Sequence, residues 1–314
     1  MALAPEAPGA ATGQVDLGRV PGLLARIRQV PDELRRFRVT AQLARRQHQI
    51  RPDLLDLLVA EGLPCVGAGG ERLFDDYDIG NVALHLGLLS TRRMAMRTWA
   101  TALRRAGEAG AVVRRVTFRP SCPAPGHPPP CHFDILAPDD LRIRRVGPGD
   151  GDGDGEPHTI EARLPARWPD VGPAVREVID ELREADFFLL PEAVRWDLDF
   201  LRRTGLTDCG GASRLLVEEG RRRGLAARFS FGLLVAKPYS TPHCWAEFRV
   251  DGIWVPVDPL MVNAMVRWGS LQPEPWPPHR SPGALFVRLA SRFCRVVEHG
   301  GIWAGLSLPT EEVA

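Results

Sequence analysis

No stretch of the sequence is apolar for long enough to span a bilayer, and the N-terminal MALAPEAPGAATGQV has neither a basic n-region nor a hydrophobic run. These absences predict a soluble, cytoplasmic protein with no membrane partner. Charge of one sign is also missing: 40 Lys+Arg stand against 39 Asp+Glu. Nothing electrostatic therefore points to nucleic acid or to an acidic partner. Arginine greatly outnumbers lysine, a bias that GC-rich coding alone can produce. There is no ATP-binding motif and no internal repeat. Cysteine is sparse, with six in 314 residues, and in a cytoplasmic protein Cys65, Cys122, Cys131, Cys209, Cys244 and Cys294 are expected to be reduced. What remains is an ordinary globular composition, 44% hydrophobic and 25% charged, in a chain long enough for one large or two ordinary domains.

Residues 1–14, rich in Ala, Pro and Gly, are expected to be a disordered tail. Apolar positions then recur at helical spacing over 17–30, 32–48, 52–61 and 79–106, and the period changes to that of strands over 111–118, 131–136, 141–146 and 159–164. Residues 15–168 thus read as an N-terminal domain, a helical array followed by a small antiparallel sheet, for recognition of substrate or partner. The boundary is expected between Pro165 and Gly172, with residues 169–314 forming a second domain. Two amphipathic helices are predicted there over 175–188 and 192–203.

Two insertions in the first sheet invite a metal. CPAPGHPPPCH places Cys122, His127, Cys131 and His132 close together, the composition of a soft-metal site. Its spacing matches no established ligand pattern and its prolines limit convergence, so the favoured reading is a Pro-rich loop with no metal. Residues 150–161 satisfy D-x-D-x-D-G-x5-E with Asp150, Asp152, Asp154, Gly155 and Glu161. Pro148 and Gly149 stand where a helix should end, and Pro157 occupies a normally apolar position. A Gly-Asp repeat produces such a match by chance, and calcium is not expected.

The stretch 207–260 carries more. His243 to Val250 alternates, Asp251-Gly252 is a two-residue type I′ signal, and Ile253 to Asp258 alternates again. A two-residue loop pairs Val250 with Ile253, Phe248 with Val255 and Ala246 with Val257, which makes one face apolar. The other face carries His243, Trp245, Glu247, Trp254 and Asp258, with His243 and Asp258 on a diagonal that an imidazole and a carboxylate can bridge. Upstream, Thr207 or Asp208 can cap a helix that Gly224 stops, with Cys209 in its first turn. The helix dipole there favours a thiolate, and free first-turn N–H groups could hold an oxyanion. Gly210 and Gly211 leave room for a substrate to approach the backbone. Cys244 falls on the face opposite His243 and is assigned to the core.

Residues 170–265 resemble the core of the transglutaminase-like superfamily, a papain-like cysteine fold. The matching elements are Cys209 opening a helix, Gly224-Leu225-Ala226-Ala227-Arg228, His243-Cys244-Trp245-Ala246-Glu247, and the strand from Asp251 to Pro259. The resemblance implies an α+β catalytic domain in which Cys209, His243 and Asp258 act as a triad. Trp245 shares their face of the hairpin, where it is expected to pack over the triad and exclude water rather than to contact substrate, with substrate contact kept as the alternative. The resemblance also implies covalent acyl transfer on an amide or thioester, without cofactor or metal. The partner would be a peptide, an acyl carrier or a small molecule, with amide formation or hydrolysis as outcome. The alternatives are a cysteine peptidase of a dedicated peptide and an inactive binding protein.

Overall fold

The computed structural model describes residues 15–123, 126, 131–135, 143–145 and 158–313. The expected tail at 1–14, His127, and the Gly-Asp loop as far as Pro157 lie outside the described residues.

One compact unit comprises the described residues up to Met94 together with Phe188–Ala193. It contains α1 (Val20–Ile27), β1 (Phe37–Thr40), α2 (Ala41–His48), α3 (Pro52–Ala60), β2 (Leu73–Asp75), α4 (Asp76–His85) and the start of α5 (Thr91–Glu108). The single helix expected over 32–48 is instead a strand followed by a helix. Val39 pairs with Phe74 across β1 and β2, and the Thr40 side chain caps α2 by accepting from the Leu43 N–H. The helix expected over 79–106 is two, broken at Gly87, which sits at φ 75°. Arg35 is buried and donates to the Ile27 and Val30 carbonyls and to the Asp78 carboxylate. Asn81 meets the Leu189 backbone in both directions, at 2.8 and 3.0 Å. Arg35 and Asn81 thus find these partners within the unit.

The second unit runs over Ala95–Phe187 and Val194–Ala314. After the rest of α5 come β3 (Ala111–Thr117), β4 (Arg119–Ser121), β5 (Asp134–Ile135), β6 (Ile143–Arg145), β7 (Thr159–Pro165), α6 (Gly172–Asp180) and β8 (Asp186–Phe187). Then follow α7 (Glu192–Arg195), α8 (Leu198–Thr204), β9 (Leu206–Thr207), α9 (Cys209–Arg222), β10 (Ala227–Leu234), β11 (Thr241–Val250), β12 (Ile253–Val257) and α10 (Pro259–Arg267). The chain finishes with β13 (Phe286–Ala290), β14 (Val297–His299), β15 (Ile302–Trp303), β16 (Gly305–Ser307) and β17 (Thr310–Val313).

Two four-stranded antiparallel sheets dominate this unit, ordered β12-β11-β10-β13 and β17-β3-β7-β6. The fold is α+β. Position 168/169, the expected domain boundary, falls inside this unit, whose first sheet is completed by the C-terminal β17 on β3. Val116, Ile160 and Leu164 of that sheet pack with Phe231, Leu233 and Val287 of the other. Arg114 is buried between them and donates to the Val235 and Ala284 carbonyls at 2.8 and 3.1 Å. The β11–β12 hairpin has the register set by its two-residue turn, with Asp251 at φ 48° and Gly252 at φ 82°. Its even-numbered face, Ala246 and Phe248, packs with Val255 and Val257 against Leu215 and Leu216 of α9.

Candidate active site

The helix start is built by Asp208. Its Oδ1 accepts from the Gly210 and Gly211 N–H groups at 2.9 and 3.5 Å, the N-cap that leaves Cys209 as the first residue of α9. Its Oδ2 is 2.5 Å from Arg195 Nε. Burial pushes the Asp208 carboxyl up to about 7, the Cys209 charge adds to this, and Arg195 and the two N–H groups oppose it. Of the first-turn N–H groups expected to face an oxyanion, those of Gly210 and Gly211 are therefore occupied by the cap.

The glycines of that turn serve packing. A Cβ at Gly210 would lie 2.8 Å from the Trp196 ring, and one at Gly211 would lie 2.5 Å from Thr207 Oγ1. The space expected for a substrate is filled by the protein's own side chains.

Asp258 ends the hairpin and starts α10. Its Oδ1 accepts from the Met261 N–H at 3.0 Å, and its Oδ2 lies 2.6 Å from His243 Nε2. With Nε2 engaged, Nδ1 is the nitrogen left for the Cys209 sulfur, which hydrogen-bonds with the imidazole. All three groups come from one unit, and Asp258 and His243 are buried while Cys209 is half-buried. Cys244 is buried too, and its thiol and backbone N–H both reach the Cys209 sulfur. It belongs to the core, as expected from the hairpin register, and it touches the site as well.

The electrostatics follow from these contacts. Hydrogen bonding from the Cys244 thiol, opposed by burial and reinforced by the His243 charge, holds the Cys209 thiol well below its ordinary value. Burial pulls His243 down, but the Cys209 charge and the Asp258 hydrogen bond outweigh it and raise the imidazole from 6.5 to about 10. The Cys244 thiol is pushed up by its hydrogen bond to Cys209 and by burial. These directions favour thiolate and imidazolium for the pair, with Cys244 as a proton-bearing donor.

Residues 174–259 match the family model of the transglutaminase-like superfamily. This segment is a transglutaminase-like domain. No curated protein matches the chain. Among solved structures the chain is similar to one from Cytophaga hutchinsonii named "putative cysteine protease", at 10% identity over 65% of this chain and 89% of that one, with a TM-score of 0.33. At that score the likeness decides nothing about chemistry.

Within the transglutaminase-like segment, Trp245 is a packed residue. Trp245 is 1% exposed, its Nε1 donates to Glu247 Oε1 at 3.0 Å, and its ring stacks on Phe286 at 4.6 Å. On that hairpin face α10 folds back and buries it with Met261, Val262 and Met265. Phe286 in turn lies 5.3 Å from the His243 ring, so one aromatic ring stands between Trp245 and the imidazole. Glu247 is an ion-pair partner, 2.5 Å from Arg228, whose guanidinium lies over Trp254 at 4.3 Å. The arginine and glutamate of the two sequence elements thus form one polar brace. Sequence reading missed Arg195 and Phe286, neither of which stands in a pattern that marks it.

Proposed function

We propose that the protein is a cysteine-nucleophile acyltransferase or amidohydrolase acting through an acyl-enzyme on Cys209. The observation that carries this reading is the continuous Cys209, His243, Asp258 relay, anchored by the 2.6 Å contact between His243 and Asp258. The thiolate attacks an amide or thioester carbonyl, and the imidazolium protonates the departing amine or thiolate. Asp258 supports the imidazolium charge and fixes the ring so that Nδ1 faces sulfur. The acyl group then passes to water, with hydrolysis, or to an amine, with amide formation, and the thiolate is regenerated. The Cys209 backbone N–H, which the Asp208 cap does not engage, is our candidate donor to the oxyanion.

Along α9, Trp196, Phe229 and Phe293 wall a cavity of about 620 Å³ together with Arg214, Arg221, Arg292 and Glu218, and of these Trp196 packs against Gly210 at the helix start. Aromatic walls with guanidinium groups suit an acyl donor that has an apolar body and an anionic end. A peptide or secondary-metabolite amide, or a carrier-bound thioester, has that chemistry.

The test is intact-mass analysis after brief incubation with a panel of acyl thioesters and peptide amides. An adduct on Cys209 is expected, absent in Cys209→Ala, with turnover in that variant reduced at least ~10⁴-fold. Asp258→Asn keeps an N-cap side chain and should retain the fold while losing part of the rate. Full turnover by Cys209→Ala on a substrate of the wild-type protein would sink the reading.

A further inference from the structure

Away from the triad, the second unit gathers Cys122, Cys131 and His299, whose sulfurs and a ring nitrogen all lie within 4.8 Å of one another. We propose that these three side chains bind a zinc ion that fastens the Cys122–Cys131 segment to the C-terminal strand β14.

The ligand set differs from the one that the local cluster suggests. Cys122 directly follows β4, Cys131 precedes β5, and β14 pairs with β5 through Val297 with Ile135 and Glu298 with Asp134. That pairing brings His299, far along the chain, to the two thiols. His132 supplies its backbone instead: its carbonyl oxygen lies 2.6 Å from His299 Nδ1. A carbonyl only accepts, so Nδ1 carries the proton and the lone pair is on Nε2. This is the orienting bond that metal-binding imidazoles make with their other nitrogen. The His299 ring is further held against Phe133, with centroids 5.4 Å apart.

Tetrahedral zinc, with Zn–S of ~2.3 Å and Zn–N of ~2.0 Å, needs donors ~3.6–3.8 Å apart. Donors already within 4.8 Å reach that spacing by small side-chain rotations. On binding, the two thiols release two protons, and two thiolates with a neutral imidazole leave the complex without net charge. That suits ligands which are all half-buried. The fourth position is left to water. Two soft thiolates and an imidazole select zinc over calcium or magnesium.

The experiment uses the full chain purified under reducing conditions without chelator. Elemental analysis should find about one zinc per chain. Cys122→Ser, Cys131→Ser and His299→Gln should each lose most of it, while Cys294→Ser and Cys209→Ser should keep it. The Cys209 variant separates this site from the triad. Because a ligand variant can unfold, the wild-type chain stripped by chelator and titrated with cobalt(II) gives a second readout. A thiolate-to-cobalt charge-transfer band saturating near about one equivalent is expected. The proposal is overturned if the reduced chain holds no zinc and gives no such band. It is equally overturned if the metal leaves with Cys209→Ser but stays with Cys122→Ser, or if Cys122 and Cys131 are recovered as a disulfide.

Discussion

Two cysteines beside the same histidine, one opening α9 and one next to it on β11, illustrate how little separates a nucleophile from a structural thiol. Cys209 has a helix N-terminus, an imidazolium and the Cys244 thiol around its sulfur, all favouring the anion. Cys244, 3% exposed among Phe231, Leu233 and Val287, can keep its proton and donate it. Limiting iodoacetamide at pH 6 should therefore label Cys209 first, as read by peptide mass, and should leave Cys244 unlabelled. The same contacts set the pH dependence. The imidazolium is present below about 10, where His243 loses its proton, and the thiolate is present from well below the ordinary thiol value upward. Labelling should be flat between those limits. His243→Ala and Cys244→Ala should each move its acid limb to higher pH, since each removes a group that favours the anion. Preferential labelling of Cys244, or an acid limb unmoved by either substitution, would show the sulfur environment to be misassigned.

At the scale of elements, the hairpin was legible because its turn is short: a two-residue Asp251-Gly252 loop leaves one register, and every pair follows from it. What the alternation did not reveal is what covers each face. A strand pattern distinguishes two sides, but only the return of α10 determined that the Trp245 side would be buried. The same limit applies to β13, whose approach to β10 is closest at Gly232. There an added Cβ would lie 1.9 Å from the Val287 carbonyl oxygen, which is backbone and cannot swing away. Gly232 is paired with His243 on its other side, and β13 carries Phe286, against which the imidazole rests. Gly232→Ala should therefore cost about 1–3 kcal/mol in denaturant unfolding and should also slow Cys209 labelling at pH 6. Loss of stability with labelling unchanged would mean that Phe286 does not set the imidazole.

For the molecule as a whole, the pairings that the sequence could not disclose join segments far apart in the chain. Local spacing showed Cys122 and Cys131 but not His299, and showed β3 and β7 but not β17, because no periodicity encodes which distant strand completes an edge. The C-terminal segment has a wider role than closing a sheet. While β17 pairs with β3, the Thr310 N–H donates to the Pro238 carbonyl at 2.8 Å and the Ser240 N–H donates to the Leu308 carbonyl at 2.9 Å. Thr310 Oγ1 and Ser240 Oγ share a buried hydrogen bond of 2.6 Å. The link between β10 and β11 is thereby held by the end of the chain, and that link enters β11 just before His243. Removing residues 309–313 should strip the edge from β3 and both Thr310 bonds from the link. The expected result is a Tm lower by roughly 5 °C or more, together with slower Cys209 labelling at pH 6. Ser240→Ala and Thr310→Val should each cost about 1 kcal/mol, and the double variant less than their sum, because the two side chains share one bond. A truncated chain that melts early yet labels at the wild-type rate would confine the segment to stability, whereas coupled losses would make it a support of the His243 strand.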